Sequence, residues 1–401
     1  MSQSISEKID LKTAIIIGIN TIVGAGIFST TSLLGSKIGP AGIITFLLAC
    51  IAVWFIAQSF ARVAYLYPQE GSIYNYTKQW AGHTFAIFTA FSYVIGTLTA
   101  MGLLVKIASQ YLHDIIPALS ANIWSLIAII TLFMLNIAGA KLSKIGQYIL
   151  IFATMYPLVI TTILCTLNIN LANLTPFMPG GLLSVISGTK VAIFGFFGFE
   201  GIASLFRIMH NPQESVPKAL RITLICVSII YLIFIGSILL GIPQEIFTHN
   251  PNISIPQALL VIYHHHTYLI QSIGISIIFS ILATVHAVIW TGSEFLLSIT
   301  KSIQNKTIKN LSTKNYLNQR NMVIASCIII TLACISIKNL SLFFSLADIF
   351  LLFAYICSIS ALLFIKEEWK SGQNYVTLIG LICATIIFSI ALKTLLVHAL
   401  L

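Results

Sequence analysis

Charged residues are scarce in this chain of 401 residues. Asp, Glu, Lys and Arg make up 8% of the sequence, whereas hydrophobic residues make up 58%. Soluble globular domains usually carry about 25% charged residues. A water-soluble body of this size cannot bury so much apolar surface, and no polar stretch is long enough to form a soluble domain. The composition therefore predicts a single membrane-embedded domain that covers residues 1–401.

Motifs for catalysis and metal binding are also absent from the sequence. It contains no HExxH, no GxSxG and no phosphate-cradling GxxxxGK[ST] motif, so we expect neither an enzyme nor an ATP-driven pump. The seven cysteines lie in apolar stretches without a CxxC pair and are interpreted as packing residues. The run His264, His265 and His266 falls in a predicted outer loop, where a solvated loop is favoured over a metal site. We expect no cofactor.

Long hydrophobic runs are what the sequence has in abundance. A spanning helix needs about 20 predominantly apolar residues. The runs are continuously apolar, which favours helices over the shorter, alternating strands of a barrel. The sequence therefore predicts an all-α polytopic membrane protein with about 11 transmembrane helices. The predicted segments are 12–34, 41–65, 85–111, 123–140, 145–167, 183–206, 217–240, 269–300, 322–337, 342–365 and 376–400.

The basic residues are distributed unevenly between the two sides of this layout. If the N-terminus is cytoplasmic, all but five of the 21 Lys and Arg residues lie on the cytoplasmic side. Basic residues are retained on that side, so the bias predicts a multi-pass protein of the inner (cytoplasmic) membrane with its N-terminus inside. The densest basic stretch, 301–320, then faces anionic lipid headgroups, which explains the net charge of +10 without a nucleic-acid partner. The five exceptions are Lys37, Lys106, Lys190, Lys338 and Lys393.

Glycine clusters interrupt the first and the sixth predicted segments. Gly24 and Gly26 lie in the middle of the first segment, and Gly195, Gly198 and Gly201 lie in the middle of the sixth. Each glycine costs a helix about 1 kcal/mol relative to alanine. Matching interruptions in two halves of a transporter point to its binding site, because unwound backbone exposes N–H groups and carbonyls. Close packing between helices is the alternative explanation.

Four stretches of the sequence resemble the amino acid–polyamine–organocation (APC) superfamily of permeases. They occur in family order within the first two hundred or so residues, and beyond the seventh segment only the hydropathy supports the resemblance. Ser72 departs from the family pattern, which usually has a second glycine there. The stretches are 18–28 (GINTIVGAGIF), 68–76 (PQEGSIYNY, ending at Gly82), 139–143 (GAKLS, with Gln147), and 198–200 (GFE) followed by 211–213 (NPQ) and 216–219 (VPKA).

The resemblance implies a fold of two inverted five-helix repeats in which helices 1 and 6 are broken. The repeats fall at about 12–168 and 183–365, with an extra helix at 376–400. It also implies a secondary active transporter, a permease or antiporter, that moves amino acids by alternating access. A carrier of polyamines or organic cations, a non-transporting amino acid sensor and a channel are the alternatives. The family commonly has a twelfth helix, so a homodimer of the family type stays open.

The resemblance further implies which backbone groups bind the substrate. The N–H groups of Ala25 and Gly26 would face the carboxylate of the amino acid. The carbonyls of Ile22, Phe194 and Phe197 would receive its ammonium group. The expected partners are therefore a small-molecule substrate at the two breaks and membrane lipids around the helices.

Three side chains complete the implied site. Thr21 adds a contact to the substrate, and the ring of Phe194 covers it as a gate, with plain core packing as the alternative. Glu200 is the only acid deep in the first seven segments, and a carboxyl in a bilayer must face the bundle interior or water. We hypothesise that Glu200 couples gating to protonation. Its alternative role is a neutral carboxyl that hydrogen-bonds a broken helix end.

The mode of coupling and the substrate are left open by the sequence. Thr154 stands where some proton-coupled relatives have a lysine, so coupling through that lysine is unsupported, and proton coupling, sodium coupling and solute exchange all remain. Lys106, Glu294 and Asp348 are interpreted as structural ions or hydrogen-bond partners. The cluster of Phe194, Phe196, Phe197 and Phe199 suits a neutral apolar substrate about as well as Glu200 suits a cationic one.

Overall fold

Helices form almost all of the computed structural model, which describes residues 9–24, 26–67, 72–138, 144–205, 209–251, 253–302, 317–337, 339–364 and 374–400. The predicted all-α class is confirmed. Short 3-10 segments cover Gly39–Ala41, Leu171–Leu174, His264–His266 and Ser360–Phe364. The helices are α1 (Leu11–Ile22), α2 (Gly26–Lys37), α3 (Gly42–Leu66), α4 (Ser72–Ile115), α5 (Ala121–Ile137), α6 (Lys144–Leu167), α7 (Gly181–Phe194), α8 (Gly201–Ser204), α9 (Pro212–Gly241), α10 (Gln244–His249), α11 (Ile255–Ile262), α12 (Thr267–Ser302), α13 (Gln319–Ser336), α14 (Leu340–Ile359) and α15 (Asn374–Leu400).

The helices are long and apolar enough to cross a membrane many times. Within the described ranges, eight helical stretches meet that requirement, and α1 with α2 forms a ninth span that bends by 43° at its break. The helices α5 and α7 are apolar but shorter, with 17 and 14 residues. Every predicted segment contains one of these helices. The total of eleven spans and the division into two repeats stay predictions.

Local sequence signals explain where several helices begin and bend. The side chain of Asp10 accepts a hydrogen bond from the Thr13 N–H at 3.0 Å and so caps the start of α1. Asn339 caps α14 in the same way, through the N–H of Ser341. The helix α4 is kinked at Gly82, whose φ of +78° favours glycine. The part of α4 before the kink therefore precedes the span that the sequence predicts from residue 85.

The helices α9 and α14 each pack against several other helices. The helix α9 packs against α1, α3 and α6, and α14 packs against α4, α7 and α15. Small residues permit the closest of these approaches, as at Gly96, where a Cβ atom would lie 2.8 Å from the Cβ of Phe350. This arrangement places α7 between α2, α3, α14 and α15.

Large apolar side chains cover the outer surface of the bundle. Phe152 on α6 is 74% exposed, and Leu47 and Ile51 on α3 and Leu332 on α13 are also open to the surroundings. Water would not tolerate so continuous an apolar surface, whereas lipid chains match it. The exposed faces are thus those of a multi-pass membrane protein.

Some sequence motifs fall outside the described residues. They are Ala25 of the first glycine cluster, residues 68–71 and 139–143 of the family-like stretches, and most of the basic stretch after α12.

Candidate substrate site

The two predicted helix breaks are present and lie against each other. The helix α1 ends at Ile22 and α2 begins at Gly26, while α7 ends at Phe194 and a turn of residues 195–200 leads into α8. A Cβ atom on Gly26 would lie 3.0 Å from the Cα of Gly195 and 3.4 Å from the carbonyl oxygen of Phe194. The start of α2 therefore faces the end of α7 at backbone contact distance.

Gly198 allows the second close approach between the breaks. Its φ is +109°, and a Cβ atom there would lie 2.6 Å from the carbonyl oxygen of Thr21. A residue with a side chain would be strained by this φ and would also collide with the backbone of α1. The glycines thus serve close packing and the unwinding of helices at the same place, so the two interpretations of the clusters are compatible.

Tyr231 on α9 joins the two breaks. Its hydroxyl lies 2.9 Å from the carbonyl oxygen of Gly195 and 3.2 Å from that of Ile22, and the side chain is fully buried. The Gly24 N–H also donates to the Ile22 carbonyl, at 2.9 Å. A carbonyl oxygen has two lone pairs. A substrate ammonium that reaches Ile22 must therefore share this oxygen or replace the tyrosine.

Glu200 is buried and bound on both carboxyl oxygens. Oε1 accepts a hydrogen bond from the hydroxyl of Tyr93 on α4 at 3.0 Å, and Oε2 accepts one from the Gly198 N–H at 3.1 Å. The carboxyl thus connects α4 to the turn between α7 and α8. The alternative role expected from the sequence, a hydrogen bond to the broken helix, is geometrically realised, while the protonation hypothesis stays a prediction.

The predicted gate residue Phe194 packs against α14. Its ring centroid lies 4.8 Å from that of Phe344, with the rings nearly perpendicular, and 5.8 Å from that of Phe197. Such edge-to-face contacts are a preferred arrangement of aromatic rings. Phe196 and Phe199 are fully buried on other contacts. All four clustered phenylalanines therefore lie at the break, where Phe194, Phe196 and Phe199 are buried and Phe197 is partly exposed.

Thr21 presents its methyl group, not its hydroxyl, to the second break. The hydroxyl donates to the Ile17 carbonyl of its own helix at 2.7 Å. A Cβ atom on Gly201 would lie 3.3 Å from this methyl group. A polar contact from Thr21 to a substrate would require its side chain to rotate.

A pair of hydroxyl groups lies at the position where some proton-coupled relatives have a lysine. The Thr154 hydroxyl on α6 and the Ser280 hydroxyl on α12 are 2.8 Å apart and buried. Thr284, one turn further along α12, lies next to Gly24 in the first break. The contact between α6 and α12 beside the site is therefore uncharged at these residues.

Several other polar residues that the sequence draws attention to have structural partners. Nδ1 of His286 lies 2.9 Å from Nδ2 of Asn136 on α5, so this histidine faces a neighbouring helix. Lys106 donates to the carbonyl of Ile337 at 2.7 Å. His264–His266 form an exposed turn.

Two of the connecting residues, Tyr231 and Tyr93, were missed by sequence reasoning. Each is an isolated tyrosine in an apolar helix. A buried tyrosine hydroxyl usually finds a hydrogen-bond partner, and this is the only signal that marks them. The sequence does not reveal which partner that is.

Comparison with known proteins assigns the chain to a family. The family model described as amino acid permease matches residues 13–401. The chain belongs to the amino acid permease family. This confirms the APC resemblance and the expectation that the chain is a transporter and not an enzyme.

Individual relatives share about a quarter or less of their aligned residues with this permease. It is 24% identical over 247 residues to the branched-chain amino acid permease BcaP of Bacillus subtilis (strain 168), covering 57% of this chain and 53% of that protein. It is 25% identical over 259 residues to the aspartate-proton symporter of the same organism, covering 61% and 50%. It is 22% identical over 225 residues to the low-affinity putrescine importer PlaP of Escherichia coli (strain K12), covering 53% and 49%. The alignments span about half the length of these curated relatives.

Proposed function

We propose that this permease is a secondary carrier that moves amino acids across the cytoplasmic membrane by alternating access. The contact between the two helix breaks, at Gly26 and Phe194, carries the proposal. The start of α2 offers backbone N–H groups and the positive end of a helix dipole, whereas the end of α7 offers carbonyl oxygens. An amino acid has one carboxylate and one ammonium group, so it complements both helix ends at once.

The proposed substrate contacts follow from this polarity. The N–H groups of Ala25 and Gly26 receive the carboxylate, and the carbonyls of Ile22, Phe194 and Phe197 receive the ammonium group. Backbone groups held by two packed helices keep their positions better than long side chains do, which favours recognition of the part that all amino acids share. The substrate side chain then lies toward the aromatic contact with α14.

A proton is the proposed coupling ion at Glu200. The burial of this carboxyl and its bonds to α4 and to the turn before α8 mean that a change in its charge alters a link between two moving parts. One relative is named an aspartate-proton symporter, which is consistent with this mode. Solute exchange without a coupling ion is the competing proposal.

A carrier of polyamines or organic cations is the second candidate. One relative is named a putrescine importer, and the same carbonyls at Ile22, Phe194 and Phe197 would receive an amine. A polyamine has no carboxylate, so the start of α2 would have no anionic partner. A substrate panel that includes both classes separates the two candidates.

Counterflow in proteoliposomes tests the proposal. Vesicles that contain the purified permease are loaded with one unlabelled amino acid, its D-enantiomer or putrescine, and uptake of the labelled compound is followed. We expect saturable counterflow that prefers an L-amino acid. Counterflow with putrescine alone would favour the second candidate, and a folded protein that binds amino acids without counterflow would be a sensor.

A pair of glycine variants provides the matched control. Gly26→Ala places a methyl group 3.0 Å from the backbone of Gly195, whereas Gly236→Ala on α9 places one in open space. We expect counterflow to fall in the first variant and to persist in the second. Equal activity of both variants would contradict a site at the contact between the breaks.

A further inference from the structure

A buried carboxyl without a hydrogen-bond partner lies in α14. Asp348 is fully buried, and among the described residues neither of its two oxygens has a partner. The sequence suggests a structural ion or hydrogen-bond partner at this position, and the geometry contains no such bond. An ionised carboxylate without donors is costly in a low-dielectric interior, so this position calls for either a proton or a nearby cation.

Lys190 on α7 is the cation next to this carboxyl. It is 7% exposed, although the sequence placed it toward the outer side. Its Nζ donates to the hydroxyl of Thr394 on α15 at 2.6 Å and to the hydroxyl of Ser345 on α14 at 3.3 Å. Ser345 lies one turn before Asp348 on α14, so the ammonium group and the carboxyl share a helix face, yet the two hydrogen bonds of Lys190 go to neutral hydroxyls. Three helices therefore meet at an ammonium group that has not formed an ion pair with its neighbouring acid.

The other ionisable groups around α14 are farther away or engaged elsewhere. Lys37 lies at the end of α2, which packs against α7. Other ionisable residues on the helices that pack against α14 have contacts elsewhere or are exposed. Lys106 donates to the Ile337 carbonyl, and Arg62 lies over the Tyr65 ring. Glu200 accepts a hydrogen bond from Tyr93, and Lys393 is exposed. In the part of the chain that the structure describes, Lys190 is thus the cation bonded to the face of α14 that carries Asp348.

The pair is mechanically linked to the aromatic contact at the substrate site. Lys190 lies one helical turn before Phe194 on α7, and Asp348 lies one turn after Phe344 on α14, so each pair shares a helix face. The Phe194 and Phe344 rings are in contact at 4.8 Å. A movement of α7 against α14 that separates these rings must also change the distance between Lys190 and Asp348.

We propose that Asp348 is an exchangeable proton site of this carrier, with Lys190 as the cation that expels the proton. In the described conformation Asp348 is a neutral acid. When α7 moves against α14, the ammonium group leaves the Ser345 and Thr394 hydroxyls and approaches the carboxyl. The O–H bond then breaks, the proton passes to water on the open side, and the carboxylate is neutralised by Lys190. The reverse movement restores the acid.

This inference rests on the proposed carrier function and concerns a site separate from Glu200. It is tested with two assays on the same proteoliposomes. Counterflow without a pH gradient reports the carrier itself, using the amino acid that the panel identifies. A pH-sensitive dye in the lumen reports proton movement when that amino acid is added outside. Asp348→Asn mimics the protonated acid, and Ser358→Ala is the control, because that buried α14 hydroxyl bonds only within its own helix at 2.8 Å.

We expect Asp348→Asn to keep counterflow and to lose amino-acid-dependent proton movement by at least about tenfold, within the usual range of coupling between two sites. Ser358→Ala should retain both. Proton movement that survives in Asp348→Asn would overturn the inference. Loss of both counterflow and proton movement in a folded Asp348→Asn protein would also overturn it, because that result indicates a structural role for Asp348. Wild-type counterflow without proton movement would overturn the inference and leave the carrier function intact. Absence of wild-type counterflow would instead overturn the carrier function.

A second variant covers the case in which Asp348→Asn does not fold. Asp348→Glu keeps an exchangeable proton but moves it by one methylene group relative to Lys190. We expect proton movement to persist with a shifted pH dependence. A pH dependence identical to that of the wild type would overturn the inference.

Discussion

The hydroxyl of Tyr231 lies 2.9 Å from the carbonyl oxygen of Gly195, and through a second contact to Ile22 it ties both helix breaks to α9. One side chain thus holds two interrupted helices in register. Its ring packs against Phe46 and Phe196 and does not depend on the hydroxyl for its position. Removal of the hydroxyl alone is therefore a clean test of what the link contributes.

Tyr231→Phe should weaken transport and stability. The change leaves the buried Gly195 carbonyl without this donor, which costs about 1–3 kcal/mol. We expect a lower melting temperature in detergent and slower counterflow. Tyr263→Phe is the control, because it removes a similar bond, to the Leu164 carbonyl at 2.7 Å, away from the breaks. Equal counterflow in the two variants would show that the Tyr231 link is not needed for transport.

Gly198→Ala should damage both folding and transport. The new Cβ atom would lie 2.6 Å from the Thr21 carbonyl, at a φ of +109°. The strain from φ alone is about 1–2 kcal/mol, before any collision is counted. We expect a reduced yield of folded protein and loss of counterflow, measured by size-exclusion chromatography and transport. A Gly198→Ala protein with normal yield and activity would contradict the described contact.

Glu200→Gln should flatten the dependence of uptake on pH if this carboxyl carries the coupling proton. Glutamine cannot ionise, but it retains a carbonyl oxygen for Tyr93 or Gly198. Tyr93→Phe is the matched variant, because it removes the 3.0 Å bond and leaves a titratable carboxyl. Uptake at two pH values should differ less for Glu200→Gln than for Tyr93→Phe, because Asp348 is then the one proposed proton site that is left. Full and still pH-dependent uptake by Glu200→Gln would assign Glu200 to the structural role.

Phe194→Ala should lower the apparent affinity for substrate. An aromatic ring over a cation contributes about 0.5–2 kcal/mol, so KM should rise roughly twofold to thirtyfold. Phe194→Tyr keeps the ring and should retain most of the affinity. Phe152→Ala is the control, because that ring is 74% exposed on the outer surface of α6. An unchanged KM in Phe194→Ala would leave Phe194 as a core residue.

The positions of the helices and of their breaks could be predicted from the sequence because both depend on local properties. Apolar runs of sufficient length require helices in a membrane, and the glycines at 24, 26, 195 and 198 weaken the helix where the chain unwinds. The close approach of Gly26 to Gly195 could be expected only from the family resemblance. The local sequence of a segment does not indicate which other segment it contacts.

The roles of individual polar residues were harder to predict because their partners are distant in sequence. Lys190 resembled a residue at the outer flank, yet Thr394 and Ser345 supply the hydroxyl groups that allow it to be buried. Tyr231 and Tyr93 resemble ordinary aromatic residues of apolar helices. Their hydrogen bonds to Gly195 and Glu200 exist only after three helices have packed together, and no local pattern encodes that packing.

The pairing of Ile9 with Met209 joins the start of α1 to the segment between α8 and α9 through backbone atoms. The bond runs from the His210 N–H to the Ile9 carbonyl at 3.2 Å, in a parallel bridge just before α1 and just before α9. Since it uses main-chain atoms only, an alanine scan would leave the bond itself intact and would report only the packing of the Ile9 and Met209 side chains. A backbone contact of this kind is hidden from side-chain mutagenesis and has to be tested with backbone changes, such as an amide-to-ester replacement at His210.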